Sequence, residues 1–191
     1  TAALPQAKRV VFDKKYAVPI LSNYGQTEFA GAIAFERPDD VASAIRPANT
    51  VGRVAPGVEV RVIDSEGNSV PDGEVGEITA RAVSAMSGYL DEDGRPSQPG
   101  AWLHTGDLGA LTDDGFLSVV GRLRDMVVCG GFNIYPAQVE AALNALPTVM
   151  DSAVAGIADE RLGEVPVAAV ILAPHATTST DDIRSALRSA L

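Results

Sequence analysis

Tyr24-Gly25-Gln26-Thr27-Glu28 packs a ring, a bare backbone, an amide, a hydroxyl and a carboxylate into five residues. Groups of these types, so closely spaced, can build a nucleotide pocket. The ring offers a face to a base, glycine lets a ligand approach the chain, and threonine can donate to a phosphate oxygen. Glu28 can hold a hard cation such as Mg²⁺, which prefers oxygen ligands and accompanies phosphates. The plainer alternative is a polar loop capped by Thr27. Farther on, Thr105-Gly106-Asp107 places a carboxylate after a Thr-Gly turn. Such a carboxylate can accept two hydrogen bonds at once, which suits a pair of ribose hydroxyls. Its alternative is an Asx-type turn satisfied by its own backbone.

The elements that must position these groups are readable along the chain. Leu4, Ala7, Val10 and Val11 at helical spacing, with Pro5 in the first turn, predict an amphipathic helix over residues 5–16. Val18 to Leu21 reads as a short apolar strand that delivers the Tyr24 stretch to a strand end, where α/β sheets bind ligands. Residues 51–54, 58–63 and 76–81 are β-branched clusters separated by Asp-, Gly- and Pro-rich turns, the texture of a small barrel or sandwich. Leu90 to Gly100 reads as a surface loop, and Ala101 to Gly109 as its end.

The run from Gly121 to Glu140 carries four instructions: a charged crossing (Gly121 to Asp125), an apolar strand (Met126 to Val128), a Gly130-Gly131 turn, and a helix opened by Pro136. Val139, Ala142, Leu143 and Leu146 continue at helical spacing, so the run reads as strand, turn, helix. Beyond it, 152–157 and 165–172 are apolar strands joined by a charged turn over 159–164. A last helix is capped by Thr180, with Ile183, Leu187 and Leu191 as its buried stripe.

Composition narrows the function. The chain has 191 residues, 46% of them hydrophobic, enough for a real core in one or two domains. A net charge of −10 argues against nucleic acid or an anionic membrane as partner. No apolar run has spanning length, and the single cysteine, Cys129, cannot build an internal disulfide framework; both fit a cytoplasmic protein. His104 and His175 share no ligand spacing.

Three separated stretches, in order, resemble the motifs of the adenylate-forming superfamily: Tyr-Gly-x-Thr-Glu at 24–28, Thr-Gly-Asp at 105–107, and Gly-Arg-x-Arg-Asp leading into Gly-Gly-x-Asn-Ile-x-Pro at 121–136. The resemblance implies a mixed α/β and α+β fold. Residues 1–123 would be the end of the large AMP-binding domain, with a small β-barrel over about 51–120. Residues 124–191 would be most of a small α+β lid. By position it implies Tyr24 on adenine, Gly25 and Gln26 beside the nucleotide, Thr27 on phosphate, Glu28 on Mg²⁺, and Asp107 and Arg122 on ribose or phosphate. Thr27 and Glu28 would be the catalytic pair. Arg124 and Asp125 become the hinge, and Gly130-Gly131-Phe132 the wall of a coenzyme A channel. Trp102 and His104 go to packing and orientation.

The implied activity is AMP-forming carboxylic acid–CoA ligation, on a fatty acid or a bulky ring-bearing acid, with ATP, Mg²⁺ and CoA. Asn133-Ile134-Tyr135-Pro136 and Gln26 favour that branch over a peptide-synthetase adenylation domain, which loads a carrier protein. A non-catalytic nucleotide-binding remnant is the third reading. The superfamily's Pro-Lys phosphate loop and terminal Gly-Lys motif have no counterpart in the chain, so it is expected to be a portion of a longer enzyme, inactive alone. Two departures show: Arg124 where lysine or aspartate is common, and Gln138 where glutamate is common.

Overall fold

The computed structural model describes residues 6–43, 47, 50–95, 97 and 100–190. It divides into two compact units, Thr1–Val119 and Val120–Leu191.

In the first unit, helix α1 (Gln6–Tyr16) precedes strand β1 (Asn23–Gln26), a 3-10 turn (Thr27–Phe29), β2 (Gly31–Phe35) and the short α2 (Pro38–Ala42). Strands β3 (Thr50–Val54), β4 (Val58–Ile63), β5 (Gly76–Ala82), β6 (Leu103–Leu111) and β7 (Phe116–Arg122) follow, the last three residues of β7 falling after the boundary at Val119. All join one seven-stranded sheet in the order β1-β2-β3-β7-β6-β5-β4. Its core is Phe29, Ile33, Ala34, Ile78, Ala80 and Leu117. The sheet thus reaches upstream of residue 51 to include β1 and β2. β2, an Ala-Ile-Ala-Phe run without β-branched alternation, gives no strand signal of its own, yet buries Ile33 and Ala34 completely.

Two local expectations are overturned here. Val18 to Leu21 is not a strand: Val18 and Leu21 are exposed, and the ladder begins at Asn23. The Tyr24 stretch therefore lies on an antiparallel strand rather than in a loop beyond one. In α1, Val10 and Val11 are exposed whereas Arg9 is buried, because Arg9 pairs with Glu36 beside β2. Leu4 and Pro5 lie outside the described residues.

The second unit contains β8 (Val127–Cys129), β9 (Phe132–Ile134), α3 (Pro136–Asn144), β10 (Val149–Asp159), β11 (Gly163–Leu172) and α4 (Thr180–Ala190). Its sheet runs β10-β11-β8-β9. Pro136 does open α3, and Val139, Ala142 and Leu143 form its buried or half-buried stripe; Leu146, also half-buried, lies beyond the helix, which ends at Asn144. The turn before it differs from expectation. Gly130 (φ 57°) and Gly131 (φ 88°) form a two-residue hairpin joining β8 to β9, with Cys129 opposite Phe132. Two consecutive positive φ values match the right-handed twist of paired strands, which is why Gly-Gly makes a hairpin here. The run is therefore strand, turn, strand, helix.

Two boundaries also move. Asp159 and Gly163 pair across the β10–β11 hairpin, so the charged turn shortens to the residues between them. The cap of α4 is Ser179 rather than Thr180. Ser179 Oγ accepts from the Asp182 N–H at 3.1 Å, and Asp182 accepts from the Ser179 N–H at 2.9 Å, a reciprocal capping box. The Ser179 hydroxyl and then its N–H hold the Asp182 carboxyl below the usual carboxylate range. Leu191 lies outside the described residues. Among the described residues no helix is long and apolar enough to cross a membrane.

Candidate functional site

On β1 alternate residues share a face, so Tyr24 and Gln26 project together. Both are half-buried, and both reach Asp107 on β6. The Tyr24 hydroxyl donates to Asp107 Oδ2 at 2.8 Å, and Gln26 Nε2 donates to the same oxygen at 3.0 Å. Gln26 Nε2 also donates to the Thr105 carbonyl at 2.9 Å. The tyrosine ring packs against the core of the first unit. Two stretches some eighty residues apart in the chain thus close into one hydrogen-bonded network.

Asp107 reaches this position through a bulge rather than through the end of a loop. The β5–β6 register slips between Glu77 and Thr79, which face Leu108 and His104. The extra β6 residues include Gly106, at φ 69°. Thr105 Oγ1 stabilises the bulge by donating to the Ile78 carbonyl at 2.7 Å and accepting from the Asp107 N–H at 3.1 Å. Bulges re-aim side chains, and this one turns the side chain of Asp107, a residue only 8% exposed, toward β1. The carboxylate is thus engaged across the sheet, by Tyr24 and Gln26.

Thr27 and Glu28 follow in the 3-10 turn, anchored by Phe29, which is 2% exposed. Thr27 is exposed and Glu28 partly exposed. Glu28 Oε1 accepts from the Tyr89 hydroxyl at 2.8 Å. Its own backbone N–H, and then the Tyr89 hydroxyl, hold the Glu28 carboxyl below the usual range. The same bond pushes the Tyr89 phenol up. Nothing in the local sequence links Tyr89 to Glu28; only the folded chain brings the two together. Gln26, Glu28, Met86, Tyr89, Trp102 and His104 line a cleft of about 240 Å³. Trp102 lies under two guanidiniums, Arg61 at 4.1 Å and Arg81 at 4.9 Å. His104 Nδ1 sits 2.9 Å from Glu77 Oε2.

A divalent cation is compatible with this donor set. Among the described residues no cluster of three metal-binding side chains forms. Mg²⁺ needs none, because it takes one or two carboxylates and fills its shell with phosphate and water. Glu28, ionised and lining the cleft, meets that requirement.

The remaining candidate residues belong to the second unit. Arg122 ends β7, and Leu123–Asp125 makes a 3-10 turn in which Arg124 and Asp125 are exposed and 3.5 Å apart. Gly130 donates its N–H to the Leu162 carbonyl at 2.9 Å, and Phe132 is 76% exposed. Gln138 is exposed on α3, while the neighbouring Glu140 accepts from the Val154 N–H at 2.8 Å.

The profile of the AMP-binding enzymes matches residues 1–90, and that of the AMP-binding enzyme C-terminal domain matches residues 138–191. The chain belongs to the AMP-binding enzyme family. It is 42% identical over 167 residues to a methyl-dioxo-octahydroindenyl-propanoyl:CoA ligase of Rhodococcus jostii (strain RHA1), a match covering 86% of this chain and 30% of that protein. Among solved structures it resembles o-succinylbenzoate CoA synthetase of Bacillus subtilis in complex with the acyl-adenylate OSB-AMP. The TM-score is 0.80 and the identity 29%, covering 95% of this chain and 37% of that one. It also resembles the amide bond synthetase McbA of Marinactinospora thermotolerans, with TM-score 0.83 and 35% identity, over 99% of this chain and 39% of that one. The chain therefore spans about a third of the length of these relatives. Its mixed α/β fold with antiparallel sheets is the one expected of adenylate-forming enzymes.

Proposed function

We propose that the chain forms part of an ATP-dependent carboxylic acid–CoA ligase that makes an acyl-adenylate and then a thioester. The observation that carries the reading is the Tyr24–Asp107–Gln26 network, which joins two adenylate motifs beside a cleft that holds Glu28. In the first half-reaction the acid carboxylate attacks the α-phosphate of ATP, an O–P bond forms, and pyrophosphate leaves. Tyr24 and Gly25 would border the adenine, Asp107 and Arg122 the ribose, and Gln26 and Thr27 the phosphate. Glu28 would hold Mg²⁺, which when bound neutralises phosphate charge. No side chain need act as a nucleophile. In the second half-reaction the second unit turns about Arg124-Asp125, and the CoA thiolate adds to the acyl carbonyl while AMP departs.

The R. jostii relative is named for a ring-bearing acid, which favours the ring-bearing acid over the fatty acid as substrate. A panel of both kinds, scored by pyrophosphate release, decides between them. The likeness to an amide bond synthetase supports a second reading in which an amine takes the acyl group. Offering CoA and amines to the adenylate in parallel separates the two.

The nucleotide assignment is tested by calorimetry on the chain with AMP and 2′-deoxy-AMP. Asp107→Ala is expected to weaken AMP by about 1.5–3 kcal/mol, roughly ten- to a hundredfold, as a charged hydrogen bond is lost. The mutant should bind both nucleotides about equally. A mutant that still prefers AMP over its deoxy form would remove Asp107 as ribose ligand.

Gly131 tests the CoA half. An added Cβ meets no atom within 4 Å, but φ is +88°. Gly131→Leu should therefore cost about 1–2 kcal/mol of left-handed strain. In a protein competent for the whole reaction, pyrophosphate exchange should survive and thioester yield should fall at least tenfold, on the order of 1.4 kcal/mol. Equal loss of both would reduce Gly131 to a turn residue.

A further inference from the structure

Glu28 is fixed by its neighbours to a degree that turn geometry alone does not require. The loop after β5 touches it twice. The Met86 N–H donates to the Glu28 carbonyl at 2.7 Å, and the Tyr89 hydroxyl donates to Glu28 Oε1 at 2.8 Å. Tyr89 is itself bracketed. Its N–H donates to Ser97 Oγ at 3.1 Å, and its carbonyl accepts from the Ser97 N–H at 2.7 Å. Gly88, at φ 138°, lies so close to Ser97 that an added Cβ would come within 2.9 Å of the Ser97 carbonyl carbon. This bracket holds the phenol over the carboxylate, although Tyr89 is otherwise 62% exposed. Among the described residues, no other residue donates to Oε2.

We propose that Tyr89 is a positioning residue for Glu28: it ties down Oε1 so that Oε2 is presented to the cleft for the divalent cation that travels with a nucleotide's phosphates. The inference rests on the nucleotide reading above. A hydroxyl suits the task better than a lysine or arginine would. It orients the carboxylate through a hydrogen bond yet leaves the negative charge uncancelled, so the cation still meets a full carboxylate. Orientation matters here because no cluster of three metal-binding side chains is present among the described residues. A lone glutamate with several free torsions would otherwise have to be ordered by the cation itself.

The test compares wild type, Tyr89→Phe, Glu28→Gln and the double variant, all in the full chain. Mn²⁺ is the probe, its free fraction read by electron paramagnetic resonance during titration with ATP. AMP binding without metal and the melting temperature are measured on the same samples. Tyr89→Phe is expected to weaken the Mn²⁺·ATP complex about tenfold, leaving metal-free AMP affinity and melting temperature unchanged. In the Glu28→Gln background the Tyr89 change should add nothing, which a purely structural tyrosine would not obey. Equal Mn²⁺·ATP affinity in wild type and an AMP-binding Tyr89→Phe overturns the clamp alone, as do independent, additive losses in the double variant. Failure of wild type to bind AMP at all overturns the nucleotide reading and this one with it.

Discussion

Replacing Glu36 by alanine is expected to cost the first unit about 3–5 kcal/mol, although Glu36 lies on no recognisable motif. Its side chain is 1% exposed, and that of its partner Arg9 is 7% exposed. Glu36 Oε1 accepts from Arg9 Nη1 at 3.1 Å, and Oε2 accepts from the Ser22 N–H at 2.7 Å. Arg9 also donates to the Ser22 hydroxyl, and its buried Nε has no partner among the described residues. Removing the carboxylate strands a buried guanidinium and an amide donor together, a larger penalty than the pair's net worth. The effect should propagate to the site. Ser22 immediately precedes β1, and the Glu36 N–H returns a bond to the Ser22 carbonyl at 2.9 Å, beside the Asn23–Phe35 rung. The only tryptophan, Trp102, lies in this unit and reports its unfolding by fluorescence in urea. A drop below about 1 kcal/mol would mean that Arg9 escapes to water, a surface-type pair after all. An apolar double replacement of Arg9 and Glu36 should recover most of the stability, since it leaves no charge behind.

Gly25→Ala carries the second large effect, and for a different reason from most glycines in the chain. Gly25 has no positive φ, so alanine fits its backbone torsions. The obstacle is β2. An added Cβ would come within 2.8 Å of Ala32 Cα and overlap the Gly31 carbonyl oxygen. Backbone cannot rotate aside as a side chain can, so β1 must lift off β2 at the point where their register already shifts, between Tyr24 and Gly25. A loss of about 3 kcal/mol is expected, the upper end of what overpacking costs. AMP affinity should fall together with it, because Tyr24 and Gln26 flank the displaced residue. Gly67→Ala is the control: φ is +85° but nothing lies within 4 Å. Only left-handed strain, about 1–2 kcal/mol, is expected there, with AMP binding intact. Were the two alanine variants equally stable, close approach of β2 would not be why position 25 holds glycine.

The start and apolar stripe of helix α3 were legible, because a proline at its start and a 3.6-residue apolar repeat act through neighbours in the chain, but the repeat runs on to Leu146 while the helix ends at Asn144. β4 was equally legible, and its observed bounds, Val58–Ile63, coincide with the β-branched run. The three motif stretches could be located because each is a short local string. Ser179 and Thr180 show where such reading fails: both hydroxyls can cap a helix, and only the backbone geometry selects Ser179. The Gly-Gly turn shows the same, since one local signal serves a strand–turn–helix or a hairpin until β9 finds β8.

By itself the sequence determined the family, the local elements of strongest periodicity, and which residue types were available for nucleotide chemistry. The tertiary structure decided how they meet: Asp107 against Tyr24 and Gln26, Tyr89 on Glu28, and Arg9 inward while Val10 and Val11 face out. The physical reason lies in range. Torsional preferences, caps and periodicity are set within a few residues, so they are written locally. Pairings between residues far apart in the chain depend on strand register, on a bulge in β6, and on which polar groups burial leaves in need of partners. Those are properties of the assembled sheet.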